Sequence, residues 1–180
     1  MAGKSGGESE FGIEVVQRFA AERLMPMLRY IQNNQHYTLL TDEIAKVKHT
    51  LWIGTADLKD LYVKRGCSVV PFLALLERKT KEGVSVRLLH AKEPGENFRN
   101  DFDRYPTLWK GLERALCPRI HFKLMIFDLQ KVYIGSANLT GAAFGMKSEN
   151  RRNFEAGIFT DEEELVKAAI NQFDEVWMGK

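Results

Sequence analysis

The sequence predicts an α/β fold, a β-sheet with helices over both faces, and three observations carry that reading. Residues 50–56 (TLWIGTA) are apolar on both sides of a strand, as an interior strand must be when helices cover the sheet above and below. A helical stretch, residues 72–81, and a further strand, 84–89 (VSVRLL), follow, so strand, helix and strand form a parallel crossover. Residues 121–138 (HFKLMIFDLQKVYIGSAN) set two runs of alternating apolar side chains on either side of a polar turn, the pattern of a β-hairpin.

Composition bounds the rest. At 180 residues, 44% apolar and 28% charged, the chain has the profile of one soluble globular domain. The organisation expected is a disordered tail over 1–10, then a single domain over 11–180 with an N-terminal helical extension over 11–35. No apolar run reaches membrane-spanning length, so no integral membrane association is expected. The opening MAGKSGGESE lacks the basic-then-apolar order of a secretory leader, which makes the cytoplasm the default compartment. Cys67 and Cys117 are too few for a disulfide framework and lack metal-ligand spacing; both read as buried small side chains.

Net charge is only +2, but it is unevenly placed. Between Lys110 and Arg152 eight Lys or Arg stand against three acids, a local +5, and the remainder carries −3. A positive region coinciding with the hairpin suits an anionic ligand.

In chain order, Ile13, Val16, Ala20, Leu24, Met27, Leu28 and Ile31 recur at helical spacing, and Pro26 should kink or restart that helix. The stripe reads as core packing before subunit contact. Thr41, Asp42 and Glu43 supply an N-cap and an acidic first turn for a short helix bearing Ile44 and Val47. Residues 57–71 leave the first interior strand as a loop, from which Lys59, Lys64 and Arg65 could reach a substrate. The helix over 72–81 turns Leu73, Leu75 and Leu76 inward and ends at Gly83. Pro94 and Gly95 mark 90–106 as a charged loop, and a short helix over 108–116 leads to the hairpin. A strand over 154–160 and a closing helix that starts at Asp161 and buries Leu165, Ala169, Phe173 and Val176, with Trp177 near its end, complete the chain.

The hairpin concentrates the chemistry. Alternation puts His121 and Lys123 on one strand face, and likewise Ser136 and Asn138. If the loop closes between Asp128 and Lys131, His121 falls opposite Asn138 and Lys123 opposite Ser136; an odd-length loop would break this register. An imidazole, an ammonium, a hydroxyl and a carboxamide then cluster at one end of an apolar strand pair. A buried lysine beside a histidine is costly without a compensating anion, so the group suits an oxyanion.

These residues carry a resemblance. His121-x-Lys123, four residues, Asp128, six residues, Gly135-Ser136-x-Asn138 resembles the full HxKx4Dx6GSxN (HKD) signature of the phospholipase D superfamily, and in particular its small single-motif members of the bacterial Nuc endonuclease type. The resemblance implies a mixed β-sheet flanked by helices on both faces over most of 41–180. It also implies phosphodiester chemistry through a covalent phosphohistidine on His121, without a metal or other cofactor. Lys123 and Asn138 would hold the non-bridging oxygens, and Ser136 would add a hydrogen bond. Asp128 and Gly135 would be structural: Asp128 stands about 23 Å along an extended strand from His121. An acidic residue at the later position, here Glu155, would orient the nucleophilic imidazole.

Larger family members carry two motifs; this chain has one, for His36, His49 and His90 lack the following lysine and GSxN. The resemblance therefore implies a homodimer sharing one active site, the second histidine serving as the acid. Lys147, Arg151 and Arg152, in the loop after Asn138, are candidate contacts to flanking phosphates. Three functions compete: a metal-independent nuclease acting on DNA or RNA, a phospholipid hydrolase or transphosphatidylase, and a non-catalytic phosphate- or nucleic-acid-binding module. No amphipathic basic helix or lipidation signal delivers the chain to a bilayer, and every motif position is kept, which favours the first.

Overall fold

The computed structural model describes residues 25–179 except 60, 66 and 145. The tail over 1–10 and the helical reading of 11–24 lie outside the described residues.

The chain enters as strand β1 (Leu28–Gln32), followed by helix α1 (Gln35–Lys46) and strand β2 (Thr50–Thr55). A hairpin, β3 (Tyr62–Arg65) and β4 (Ser68–Pro71), precedes helix α2 (Phe72–Lys81) and strand β5 (Ser85–His90). Helices α3 (Glu96–Asp103) and α4 (Leu108–Gly111) lead to β6 (Leu112–Leu116), then β7 (Lys123–Phe127) and β8 (Lys131–Gly135). A 3-10 turn (Glu149–Arg151), β9 (Ala156–Thr160) and helix α5 (Glu163–Met178) end it.

Seven strands form one sheet in the order β1-β9-β8-β7-β2-β5-β6. The run β2, β5, β6 is parallel, and β2 to β7, β7 to β8, β8 to β9 and β9 to β1 are antiparallel, so the sheet is mixed. Helices α1 and α2 bury Leu39, Leu40, Ile44, Leu73 and Leu76 against one face with Ile53, Met125, Phe127, Tyr133 and Phe159. On the other face α5 buries Val166, Ala169, Phe173 and Trp177 over Trp52, Leu124, Ile126 and Val132. Among the described residues no helix is long and apolar enough to cross a membrane.

Several local expectations are corrected. Met27, Leu28 and Ile31 do not continue a helix: β1 is a strand whose Leu28 faces Thr160 and whose Ile31 faces Gly157 on β9. Pairing with an otherwise open strand edge outweighs local periodicity. Thr41 is not an N-cap; α1 begins at Gln35, and the Thr41 hydroxyl donates back to the Tyr37 carbonyl at 2.6 Å from mid-helix. The loops expected at 57–71 and 90–106 contain the β3–β4 hairpin and α3, and the helix expected over 108–116 becomes β6 after one turn. Here β5 supplies a parallel neighbour that wins over helical spacing. On α5 it is Val166, not Leu165, that is buried; Leu165 is 43% exposed. Cys67 is exposed and Cys117 half-buried.

Candidate active site

The motif hairpin is β7 and β8. Its connection is three residues, Asp128, Leu129 and Gln130, with Asp128 and Leu129 both in the left-handed region at φ 51° and 56°. The odd length shifts the register by one, so Lys123 lies opposite Gly135 rather than Ser136. His121 and Asn138 stand beyond the paired segments, not opposite one another in the ladder.

The shift has a cause at the turn. Left-handed backbone aims the Asp128 carboxylate at the chain entering β2, where it accepts from the backbone N–H of Lys48 (3.0 Å), His49 (2.7 Å) and Thr50 (2.9 Å). Burial pushes this carboxyl up, but the three amides outweigh it and hold the group below the usual carboxylate range. Asp128 therefore staples the hairpin to the chain entering β2.

At the open end the polar atoms are left available. His121 is exposed, and its ring makes no hydrogen bond among the described residues. The adjacent Phe122 ring lies over Gly54 on β2, where any Cβ would collide with it, and this contact seats the segment between His121 and Lys123. Lys123 is buried (8% exposed), and its ammonium donates to the His121 carbonyl at 2.7 Å. Among the described residues it ion-pairs with no carboxylate.

Asn138 is held by the loop leaving β2. Its Oδ1 accepts from the Asp57 backbone N–H at 3.0 Å, and the Thr55 hydroxyl, which donates to the Asp57 carbonyl at 2.8 Å, lies 3.4 Å from it. Because a backbone N–H can only donate, Oδ1 is the atom turned inward, and the Nδ2 donors are left for a ligand. The Thr55 hydroxyl also receives the Leu139 N–H at 3.1 Å, and Leu58 bridges Leu139, so the two loops are closed together.

The Ser136 hydroxyl donates to the Glu155 carboxylate in a short hydrogen bond and accepts from the Ala156 N–H at 3.0 Å. Glu155 is buried (8% exposed), and its other oxygen accepts from the Asn153 side chain at 3.0 Å. No hydrogen bond joins Glu155 to His121 in this structure: its two oxygens face Ser136 and Asn153. Asn33, left-handed at φ 49°, ties the Glu155 backbone in both directions, at 2.9 and 3.1 Å.

Tyr133 completes the support and was not legible in the motif. Its fully buried ring lies beneath the strand end, its hydroxyl accepts from the Ala137 N–H at 3.2 Å, and burial raises its pKa. A Cβ at Gly135 would run into this hydroxyl, which accounts for the glycine of the motif. His36 packs edge-on against Tyr133 at 5.4 Å; it is fully buried with Nε2 unpartnered, and burial lowers its pKa against the smaller raising effects of the Asn33 carbonyl and Glu155.

The basic loop is less tightly drawn in. Lys147 and Arg151 are exposed and Arg152 half-buried, and no hydrogen bond or ion pair ties their side chains to the motif. Lys59 pairs with Asp57 at 2.9 Å beside the site, whereas the Lys64 backbone is bound by the Tyr37 hydroxyl on the separate β3–β4 hairpin. Among the described residues no three His, Cys, Asp or Glu side chains gather into a metal-ligand group.

Chemically, the open end presents one imidazole without a hydrogen bond and one ammonium without a counter-ion among the described residues, and one carboxamide whose oxygen is engaged, groups of the kind that can hold and attack a phosphoryl group. Comparison with solved structures agrees with the fold. Nuc, a phospholipase D family member from Salmonella typhimurium, matches at 18% identity over 84% of this chain and 94% of its own, with a TM-score of 0.63. NucT from Helicobacter pylori matches at 15% identity over 84% and 97%, TM-score 0.62. Phosphatidylserine synthase from Haemophilus influenzae matches at 13% over 94% of this chain and 45% of its own, TM-score 0.56. No curated protein matches the chain. The family model described as "Cardiolipin synthase, PLD-like domain" matches residues 40–177, and on that match the chain belongs to the phospholipase D-like family.

Proposed function

We propose that this chain is a metal-independent phosphodiesterase that cleaves nucleic acid internally, through a covalent phosphohistidine on His121, as a homodimer with one shared site. The observation that carries it is the buried Lys123 ammonium, which has a single carbonyl acceptor and no carboxylate. The contrast is Lys79, also buried, which has the Ala45 and Val47 carbonyls and the Glu82 carboxylate within 2.7–2.9 Å. A buried charge left so incompletely matched is a place for an anionic ligand.

In this mechanism the His121 imidazole attacks phosphorus, forming a P–N bond as the P–O bond to the leaving group breaks. Lys123 and the Asn138 amide hold the non-bridging oxygens. The leaving oxygen takes a proton from His121 of a second copy. That histidine then removes a proton from water, which attacks phosphorus and releases His121. Lys147, Arg151 and Arg152 contact flanking phosphates, and Ser136, held by Glu155, supports the Gly135 to Asn138 segment.

A second copy has a surface to use. On the α5 side of the sheet Tyr30, Ile158 and Ile134 align across β1, β9 and β8 and are 68%, 42% and 43% exposed, with Leu28 beside them at 66%. A contiguous apolar row of this kind favours association. TrmBL2, described as an archaeal chromatin protein with a novel mode of DNA binding, shares the fold at 14% identity over 96% of this chain and 61% of its own, with a TM-score of 0.59.

The test is cleavage of single- and double-stranded DNA, RNA and phosphatidylcholine vesicles in EDTA, by the parent and His121→Ala. Nucleic-acid cleavage that survives EDTA and vanishes in the variant is expected. Hydrolysis of the vesicles alone would transfer the assignment to phospholipid, and activity in a sedimenting monomer would remove the shared site.

A further inference from the structure

Beside the site runs a trough that the mechanism above does not use. Its outer part is a cleft of about 350 Å³ over the β6 edge, walled by Phe98, Phe102 and Trp109 from α3 and α4. The Phe102 and Trp109 rings meet edge to face at 5.0 Å, and the Arg114 guanidinium lies 5.9 Å over Phe102. Phe98 and Phe102 are buried, but Trp109 is 64% exposed, so the indole forms an outer wall with much of its surface unspent.

The inner part is a cleft of about 580 Å³ lined by Asp57, Leu58, Lys59 and Lys92; it shares Glu93 and Phe98 with the outer one. Asp57 is the residue whose N–H fixes Asn138. The inner cleft therefore lies beside the catalytic carboxamide at the C-terminal ends of β2 and β5, and the outer one leads from it along the β6 edge to Trp109, just before the first residue of β6. The inner cleft is thus at the strand ends where α/β folds take ligands, and the outer one extends from it.

We infer that the outer cleft stacks an unpaired nucleobase of the strand being cut against the exposed Trp109 indole, which Phe102 buttresses, so that the substrate class is single-stranded nucleic acid; this rests on the nuclease reading above. The charges select this occupant. Arg99 and Arg114 stand against Glu93 and Asp103, so the outer cleft has no net charge to draw a phosphate, yet it offers donors and acceptors for the edge of a base. An acyl chain would leave the same four charged groups against hydrocarbon. In a duplex the base faces are already stacked on their neighbours, and only an unpaired base can offer one to an aromatic wall. The inner cleft is mixed: Lys59 is paired with Asp57, Glu93 and Glu96 face the same space, and Lys92 has no ion pair among the described residues.

The experiment measures binding and cleavage separately. Binding uses the full chain carrying His121→Ala, labelled single-stranded and duplex oligonucleotides, and a series of single strands with one abasic residue at each position in turn. Single strands should bind more tightly than duplex, and one abasic position should be uniquely weak. Adding Trp109→Ala should weaken the intact strand roughly 5- to 100-fold and erase that position's effect, whereas Trp109→Phe should retain most of the affinity. Equal affinity for duplex and single strand with no sensitive abasic position overturns the stacking cleft; if the parent still cuts DNA or RNA, the nuclease reading stands without it. Trp109-dependent binding in a parent that cuts no nucleic acid overturns the nuclease reading instead. Oligonucleotide binding indifferent to Trp109, with short-chain phosphatidylcholine binding that depends on it, assigns the cleft to an acyl chain and overturns the inference.

Discussion

The two ends of the motif hairpin treat their polar groups in opposite ways. At the closed end, Asp128 has three backbone amides on its carboxylate, all at 2.7–3.0 Å, so its bonding is committed to the fold. At the open end, about one strand length away, the His121 ring has no partner, Lys123 has one carbonyl, and Asn138 has its oxygen bound but its donors outward. One motif thus contains a joint and a site. Within a set of residues of equal signature value, the test of function is how much bonding capacity the fold leaves unspent.

That contrast can be broken by substitution. The largest effect should come from the open end. His121→Ala should cut phosphodiester hydrolysis by about 10⁴-fold or more in a steady-state assay, because an unpartnered nucleophile contributes to turnover alone. Its unfolding free energy should stay within about 0.5 kcal/mol of the parent's. Lys123→Met should lower kcat by roughly 10²- to 10³-fold, as loss of a transition-state charge partner does. Stability in buffer without phosphate should be unchanged or higher, since an ammonium without a counter-ion leaves the interior. A large loss of stability would mean that Lys123 is structural like Lys79.

The closed end should answer in the other currency. Asp128→Ala should cost about 1.5–3 kcal/mol in urea unfolding while the folded fraction keeps near-parent turnover. The carboxyl is held below its unfolded value, so its stabilisation is present above the unfolded pKa and is lost as pH falls through the folded one. A variant with normal stability and no activity would dissolve the distinction between the two ends.

The smallest effect concerns the layer behind the site. His36 and His90 are buried, with burial the leading cause that lowers both pKa values; the Asn33 and Lys92 carbonyls respectively oppose it. A lowered folded pKa means that the unfolded chain binds more protons between the two values. Stability should therefore fall as pH drops below about 6.5. Urea midpoints at pH 7.5 and 5.5 should show this decline, and His36→Phe should reduce it.

Much of this was legible beforehand. The interior strand at 50–55, helix 72–81 and the closing helix announced themselves because their apolar patterns match the burial they receive. The motif residues were legible by identity and spacing, and Asp128 by its remoteness from His121. What escaped had non-local causes. Strands β1 and β6 follow helical spacing yet are strands, because β9 and β5 offer open edges to pair. Glu155 was expected on His121, and its oxygens meet Ser136 and Asn153, which the fold brings beside it. Tyr133 read as one more alternating apolar residue, and nothing in its own neighbourhood of sequence shows that Ala137 would donate to it.

By itself, then, the sequence determined which residues make up the motif and that this chain carries it once, since identity and spacing are properties of the chain. Tertiary structure alone decided the state of those groups. A left-handed pair at Asp128 and Leu129 moved the register by one residue, the loop after β2 turned the Asn138 amide, and Lys123 was buried without a carboxylate. Bonding capacity is spent between segments as far apart as Asp57 and Asn138, and only the packed fold sets which atoms are left over.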